Sequence, residues 1–382
     1  MVTGCGAAAA ATGAEIRRLP AIDNVATKPR IRFVRDAIAI ACSLLERLLA
    51  ALEGPFEHGA KELFVRAIVA VATSASSGQR ADDLLRDADV SMYTAKSNGK
   101  NRVEVFAPSM HEAALARLAL KGDLERALAR GEFDLVYQPI MDLRTNRISG
   151  VEALVRWNHP RRGLVGPTDF IAVAEETGLI VPLGRWIMER ARRQAIAWQD
   201  GTSGRLTMRV NLSARQIQEP AFVQEVADVL AATGLAPERL TLELTESVLM
   251  QDVDTTAITL NSLRALGIRL AIDDFGTGFS SLSYLGRFPI DELKIDRSFV
   301  TAMDTGPDES ALVRSILKLG ETLHLETVAE GIEQADQLAE LRTLGADLGQ
   351  GYFFAMPLSP GDLSAYVARD DAEDDPIETG AA

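Results

Sequence analysis

From Phe133 onward, short apolar runs alternate with longer amphipathic segments, and this alternation restricts the fold more than any other feature of the chain. The runs read as strands at Leu135–Gln138, Ile148–Val155, Arg205–Leu212, Leu240–Thr245, Ile268–Asp273, Glu292–Ile295, Glu326–Ala329 and Leu348–Tyr352. Helical spacing falls between them at Thr168–Thr177, Pro182–Trp198, Ala214–Thr233, Asp252–Leu266, Ser310–Leu323 and Ala335–Gly345. Strand-then-helix repetition predicts an α/β domain with a parallel sheet. About eight strands in one domain predict closure into a TIM-like β/α barrel.

The strands share a second property. Seven successive ones, from Ile148–Val155 onward, each place a polar residue at or near the C-terminal end: Glu152, Asn211, Glu243 with Glu246 beyond, Asp273 with Asp274, Lys294, Glu330 with Glu333, and Gln350. In a barrel these ends lie on one face, where the βα loops build a site. The stretch Gly267–Asp296 is the densest case. Its apolar run stops in the two acids Asp273 and Asp274, a turn Gly276-Thr277-Gly278 follows, and Lys294 stands where an apolar residue was due. Buried paired acids need a partner. The set holds oxygen donors and neither Cys nor His, which suits Mg²⁺ or Mn²⁺ rather than zinc. So many carboxylates suit two cations, as in in-line phosphoryl displacement. The lysine could neutralise developing charge; to act as a base its pKa would have to fall. On these residues alone, hydrolysis of a phosphate ester and an enolase-like proton abstraction both stay open.

The formal net charge of −14 argues against binding nucleic-acid polymers or anionic membrane surfaces. Cys5 and Cys42 form neither a disulfide framework nor a metal motif, and His58, His111, His159 and His324 are scattered. No apolar run reaches the roughly 20 residues of a membrane span. The expected location is cytoplasmic.

Five segments are expected. Residues 1–30 read as a disordered tail, 31–107 as a small partial α+β segment, 108–121 as a helical linker with Gly122-Asp123 as the point that splits it from the next helix, 122–368 as the barrel and 369–382 as an acidic tail. Within the second segment, Glu62–Thr73 reads as a strand and Arg80–Gly99 as a helix. Ala81–Phe106, ADDLLRDADVSMYTAKSNGKNRVEVF, resembles the C-terminal part of a GGDEF, or diguanylate cyclase, domain. The Gly-Gly-acid-acid-Phe motif of that family does not occur, so the resemblance implies a degenerate, truncated remnant without cyclase activity.

Glu152-Ala153-Leu154-Val155-Arg156-Trp157 resembles the signature of EAL-domain cyclic di-GMP phosphodiesterases. The likeness continues through Tyr137-Gln138-Pro139-Ile140, Asn211-Leu212-Ser213, Glu243-Leu244-Thr245-Glu246, Asp273-Asp274-Phe275-Gly276-Thr277-Gly278, Lys294-Ile295-Asp296, Ala329-Glu330-Gly331-Ile332-Glu333 and Gln350-Gly351-Tyr352. It implies a barrel with one antiparallel strand and hydrolysis of cyclic di-GMP to linear pGpG. It further implies that Glu152, Asn211, Glu243 and Asp273 hold one metal, with Asp273 bridging to a second held by Asp274 and Glu330. Lys294 would face the attacking water, with Glu333 and Gln350 orienting the groups around it. Gln138, Leu154 and Arg156 would touch substrate. Glu246 would anchor the loop Thr277–Tyr284, linking the Gly276-Thr277-Gly278 turn to a homodimer partner. The alternative is a non-catalytic cyclic di-GMP receptor or protein-interaction module.

Overall fold

The computed structural model describes residues 29–52, 54, 56–58, 61–63, 67–73, 80–97, 101–199, 206–232, 234–250, 252–277, 286–305 and 307–372. Of the tail expected over residues 1–30, residues 1–28 lie outside them, and Pro29 and Arg30 begin a helix instead. The chain divides into two compact units, Met1–Ala116 and Arg117–Ala382.

The first unit contains a helix, Pro29–Ala51, and the strands β1 (Phe56–His58), β2 (Lys61–Leu63), β3 (Val69–Val71) and β4 (Val103–Val105). β1 and β2 form an antiparallel pair, and β3 runs parallel to β4 across the helix Ala81–Ser97. The single strand expected over Glu62–Thr73 is therefore two short strands in different sheets. Asp87, on this helix, is buried and sits 2.6 Å from Nε2 of His111.

The second unit is the barrel. Its strands are β5 (Phe133–Asp142), β6 (Arg147–His159), β7 (Gly163–Val165), β8 (Thr207–Asn211), β9 (Leu240–Thr245), β10 (Arg269–Phe275), β11 (Glu292–Ile295), β12 (Glu326–Ala329) and β13 (Leu348–Gly349). β6, β8, β9, β10, β11, β12 and β13 pair in parallel, one after the next. β5 lies antiparallel to both β13 and β6 and closes the ring. The expected barrel forms, with its one antiparallel strand. β7 hangs on β6 outside the ring.

Barrel strands are buried on both sides, and β9 shows why its sequence alternates as it does. Leu240, Leu242 and Leu244 are fully buried, and so are the intervening Thr241 and Glu243. Period-two geometry sends these two sets to opposite faces. An apolar strand face under covering helices stabilises by about 1.5–3 kcal/mol per large side chain.

Four further expectations need correction. The helix expected over Ala214–Thr233 is two helices, Ala214–Ile217 and Phe222–Ala231. Pro220 lies between them and lacks the N–H that an uninterrupted helix requires. Gly122-Asp123 does not divide the helix Pro108–Arg130. A mid-helix glycine costs only about 1 kcal/mol, while Leu120, Leu124 and Ala127 are buried. The strand expected over Leu348–Tyr352 pairs only at Leu348–Gly349. The acidic tail does not start at Arg369. The helix Pro360–Ala372 runs through it, because the Asp370 carboxylate accepts hydrogen bonds from Arg147 Nε (3.1 Å) and Ile148 N (3.2 Å). Among the described residues, no helix is long and apolar enough to cross a membrane.

Trp157 is fully buried, packs on Phe133 and Phe170, and donates from Nε1 to Glu132 at 3.0 Å. Trp157→Ala is expected to cost about 3–5 kcal/mol. Leu118→Ala, at an exposed position, should stay within about 0.5 kcal/mol. Urea denaturation of the two variants measures both.

Candidate functional site

Lys294 on β11 is the centre of the site. Its ammonium is 1% exposed and lies 2.6 Å from Glu330, 2.8 Å from Glu243, 3.1 Å from Asp273 and 3.9 Å from Glu152. These come from the middle of β6, from β9 and β10 and from just beyond β12, so barrel closure gathers residues spread over nearly 180 positions. Burial alone would push the Lys294 pKa down. The surrounding Asp273, Glu152, Glu243 and Glu330 outweigh it and hold the group well above its ordinary value. In the cation-free ring the lysine is therefore held as an ammonium.

Glu152 is held from three sides. Asn211 Nδ2 donates to its Oε1 at 2.6 Å, Gln350 Nε2 to its Oε2 at 2.8 Å, and Lys294 adds its charge. Burial pushes its carboxyl up, but Lys294, Gln350 and Asn211 together bring it below the ordinary value. Gln350 Nε2 also donates to Gln138 Oε1 at 3.0 Å. Glu243, Glu330 and Asp274 behave oppositely. Burial and repulsion among neighbours push Glu243 well up, Glu330 up to about 8, and Asp274 up.

Asp273 and Asp274 raise a geometric difficulty. Consecutive strand residues point to opposite faces. Here the pleat breaks: Asp274 adopts φ +53°, and the β10–β11 register shifts between Ile272 and Phe275. As a result, ligand atoms of Asp273, Asp274 and Glu330 lie within 4.8 Å of one another. Gly276 follows at φ +93°, and a Cβ there would stand 3.0 Å from the Phe299 ring. Thr277 closes the turn, donating from Oγ1 to Asp274 O at 2.8 Å.

The donor chemistry fits divalent cations. Glu152, Glu243, Asp273, Asp274 and Glu330 set five carboxylates against the Lys294 ammonium. Glu243 Oε1 is buried without a hydrogen-bond partner. Added positive charge relieves both conditions.

The remaining expected site residues divide. Leu154 and Arg156 share a β6 face with Glu152, at two-residue spacing, and Arg156 interacts electrostatically with Tyr352 and Glu152. Glu246 heads the short helix Glu246–Leu249 just after β9. Glu333 is exposed and is not among the carboxylates around Lys294. Gly278 lies outside the described residues.

Sequence reasoning passed over three polar residues. Asp296 stands beside Asp274 and interacts with it, while capping the helix Arg297–Ala302 through Ser298 N. Arg209 and Glu292 are completely buried and paired at 3.0 Å. The available signal was spacing. Arg209, Thr241 and Glu292 each precede a site residue by two positions, which places them on the same strand face one level deeper.

Asp274→Gly removes a left-handed non-glycine residue and one of several crowded carboxylates. It should stabilise the cation-free protein by about 1 kcal/mol, while weakening Mn²⁺ binding at least tenfold. Thermal melts in chelator and calorimetric Mn²⁺ titration read the two effects.

The family model described as EAL domain matches residues 121–357, and that described as diguanylate cyclase, GGDEF domain, matches residues 34–102. The bifunctional diguanylate cyclase/cyclic di-GMP phosphodiesterase MucR of Pseudomonas aeruginosa is 40% identical over 330 residues, 86% of this chain and 48% of that protein. The cyclic di-GMP phosphodiesterase PdeR of Escherichia coli is 38% identical over 316 residues, 83% of this chain and 48% of that protein. The chain thus spans about half the length of these relatives. The solved PaMucR phosphodiesterase, in a c-di-GMP complex, is 43% identical with a TM-score of 0.62, covering 64% of this chain and 99% of that one. The chain belongs to the EAL-domain family, with a GGDEF-family segment ahead of its barrel.

Proposed function

We propose that this protein is a metal-dependent phosphodiesterase that hydrolyses cyclic di-GMP to linear pGpG and lacks cyclase activity. The observation that carries the reading is the all-oxygen ring around Lys294, complete in a chain whose relatives include named cyclic di-GMP phosphodiesterases.

Glu152, Asn211, Glu243 and Asp273 would hold one cation, Mg²⁺ or Mn²⁺, and Asp273, Asp274 and Glu330 a second. When bound, such cations make water nucleophilic near neutral pH and offset charge on the phosphate. The chain's own residues do the rest. Lys294, kept as an ammonium, neutralises charge where water meets phosphorus. Water adds to phosphorus, the bond to the ribose 3′ oxygen breaks, and that oxygen leaves with a proton. Gln350 fixes Glu152 and Gln138 relative to each other. Gln138, Leu154 and Arg156 would seat the nucleotide, and Glu333 would act from the rim. A homodimer through the barrel, coupled by Glu246 and the Gly276-Thr277-Gly278 turn, belongs to the same reading, as does a cytoplasmic location.

Purified protein with cyclic di-GMP and Mg²⁺ or Mn²⁺ should yield pGpG on nucleotide chromatography. Glu152→Ala and Lys294→Ala should each lower turnover at least a thousandfold with the barrel intact by circular dichroism. Binding of cyclic di-GMP without any product would instead identify a receptor.

The raised carboxyls give a second test. A folded-state pKa above the unfolded one stabilises at low pH, and that contribution is lost as pH rises. For Glu330 the window runs from the ordinary 4.5 to about 8. In chelator, thermal stability should therefore fall as pH rises through this window. The rise in Tm on adding Mn²⁺ should grow over the same range, since cation binding to the folded state offsets the repulsion. A Mn²⁺ effect that shrinks as pH rises would contradict the ligand set.

A further inference from the structure

The carboxylate ring rests on a second charged level inside the barrel. From the N-terminal end upward, Glu326 pairs with Arg269 at 2.7 Å, Arg269 with Glu292 at 3.3 Å, and Glu292 with Arg209 at 3.0 Å. Arg209 then reaches to 3.9 Å from Glu243 Oε1, and Lys294 contacts Glu243 Oε2 at 2.8 Å. Signs alternate along the whole column. Arg209, Glu292 and Glu243 have fully buried side chains.

Neighbouring residues are fitted to this arrangement. Thr207 Oγ1 accepts from Arg209 Nη1 at 3.0 Å, and Thr241 Oγ1 donates to Glu292 at 3.1 Å. Gly150 leaves the space: a Cβ there would stand 2.7 Å from Arg209 Nη1. Barrel interiors are ordinarily filled by branched apolar residues. A buried ion pair is a poor source of stability compared with an apolar filling of equal volume. The pair therefore needs a reason other than stability, and its upper end meets Glu243.

We infer that Arg209 is a positioning residue that holds the Glu243 carboxylate for cation binding, with Glu292 as its buried counter-ion. The inference rests on the reading of Glu243 as a ligand. Glu243 stands between two cations: Lys294 donates to one oxygen at 2.8 Å, and Arg209 lies 3.9 Å from the other, acting on it through charge rather than a hydrogen bond. Lys294 alone would leave the lower oxygen without a fixed neighbour, and the carboxylate could turn about its last torsion. Because Arg209 stays buried below the ring, its loss should affect cation binding and turnover rather than substrate recognition.

Arg209→Met alone removes the closest counter-charge of the fully buried Glu292, leaving it only Arg269 at 3.3 Å and the Thr241 hydroxyl, so the informative variant is Arg209→Met/Glu292→Leu, an apolar pair in the same space. Three measurements apply to the full chain: thermal melting in chelator, calorimetric titration with Mn²⁺ alone, and turnover of cyclic di-GMP. The double variant should melt at or above the parent. Its Mn²⁺ affinity should fall at least fivefold and its kcat at least tenfold at fixed Mn²⁺, with KM for the nucleotide within twofold. Parental Mn²⁺ affinity and kcat in a folded double variant would overturn the inference, and so would a double variant that does not fold, since the pair would then serve the fold. A parent that binds Mn²⁺ but turns over no nucleotide would sink the proposed activity while leaving the Mn²⁺ comparison to decide the role of Arg209. A parent that binds no Mn²⁺ would overturn both.

Discussion

A buried ammonium cannot stand alone, and Lys294 is the constraint from which the barrel's upper end follows. Its desolvation is tolerable only with close anionic partners. Those partners cannot come from β11 itself, where neighbouring side chains alternate away. They come from β6, β9, β10 and the end of β12, which only a closed sheet brings to one point. The carboxylates are in turn too crowded to ionise together, as the raised Glu243 and Glu330 indicate. The lysine satisfies part of that demand for positive charge and leaves the rest open. Fold, cation demand and chemistry are thus one electrostatic problem.

The ring was legible in the sequence because its members interrupt apolar runs at the same relative place. Glu243 lies between Leu242 and Leu244, and Lys294 between Leu293 and Ile295, all four fully buried. A charge in such a setting has few explanations. The order of strands followed from the same pattern, since each parallel pair needs a helical crossover of adequate length. Boundaries were less legible where tertiary contacts override local preference. Nothing local in Arg369–Ala372 predicts helix, and it takes the Asp370 carboxylate meeting Arg147 at the start of β6 to extend it. Glu62–Thr73 alternates as one strand would, but its ends pair with different neighbours.

The level below the ring was hidden for a different reason. Arg209 looks like an ordinary surface residue of a strand with one wet face, since Thr207 and Asn211 flank it at the same spacing. Glu292 likewise sits next to Asp291, at a strand start where acids are common. Only closure reveals that both point into the lumen, where water is replaced by each other's charge. Polar residues at period two in a barrel strand therefore have two readings, outward and inward. The sequence of one strand does not separate them, but the coincidence of Arg209, Thr241 and Glu292, each two residues before a ring member, does.

The paired acids show how local strain and the ring depend on each other. A regular strand would aim Asp273 inward and Asp274 outward, giving one ligand per strand as elsewhere. The left-handed turn at Asp274 recovers the second carboxylate, at a backbone cost of about 1 kcal/mol. Aspartate tolerates that conformation better than most residues, and its backbone N–H is satisfied by Asp273 Oδ1 at 3.0 Å. The turn must then be kept from relaxing. Gly276 passes too close to Phe299 to carry a side chain, and Thr277 bonds back to Asp274 O. The glycine that looks like a simple loop residue is thus required by the acid two positions before it. A second carboxylate on one strand, rather than a longer loop, is what brings Asp273, Asp274 and Glu330 within reach of a shared cation.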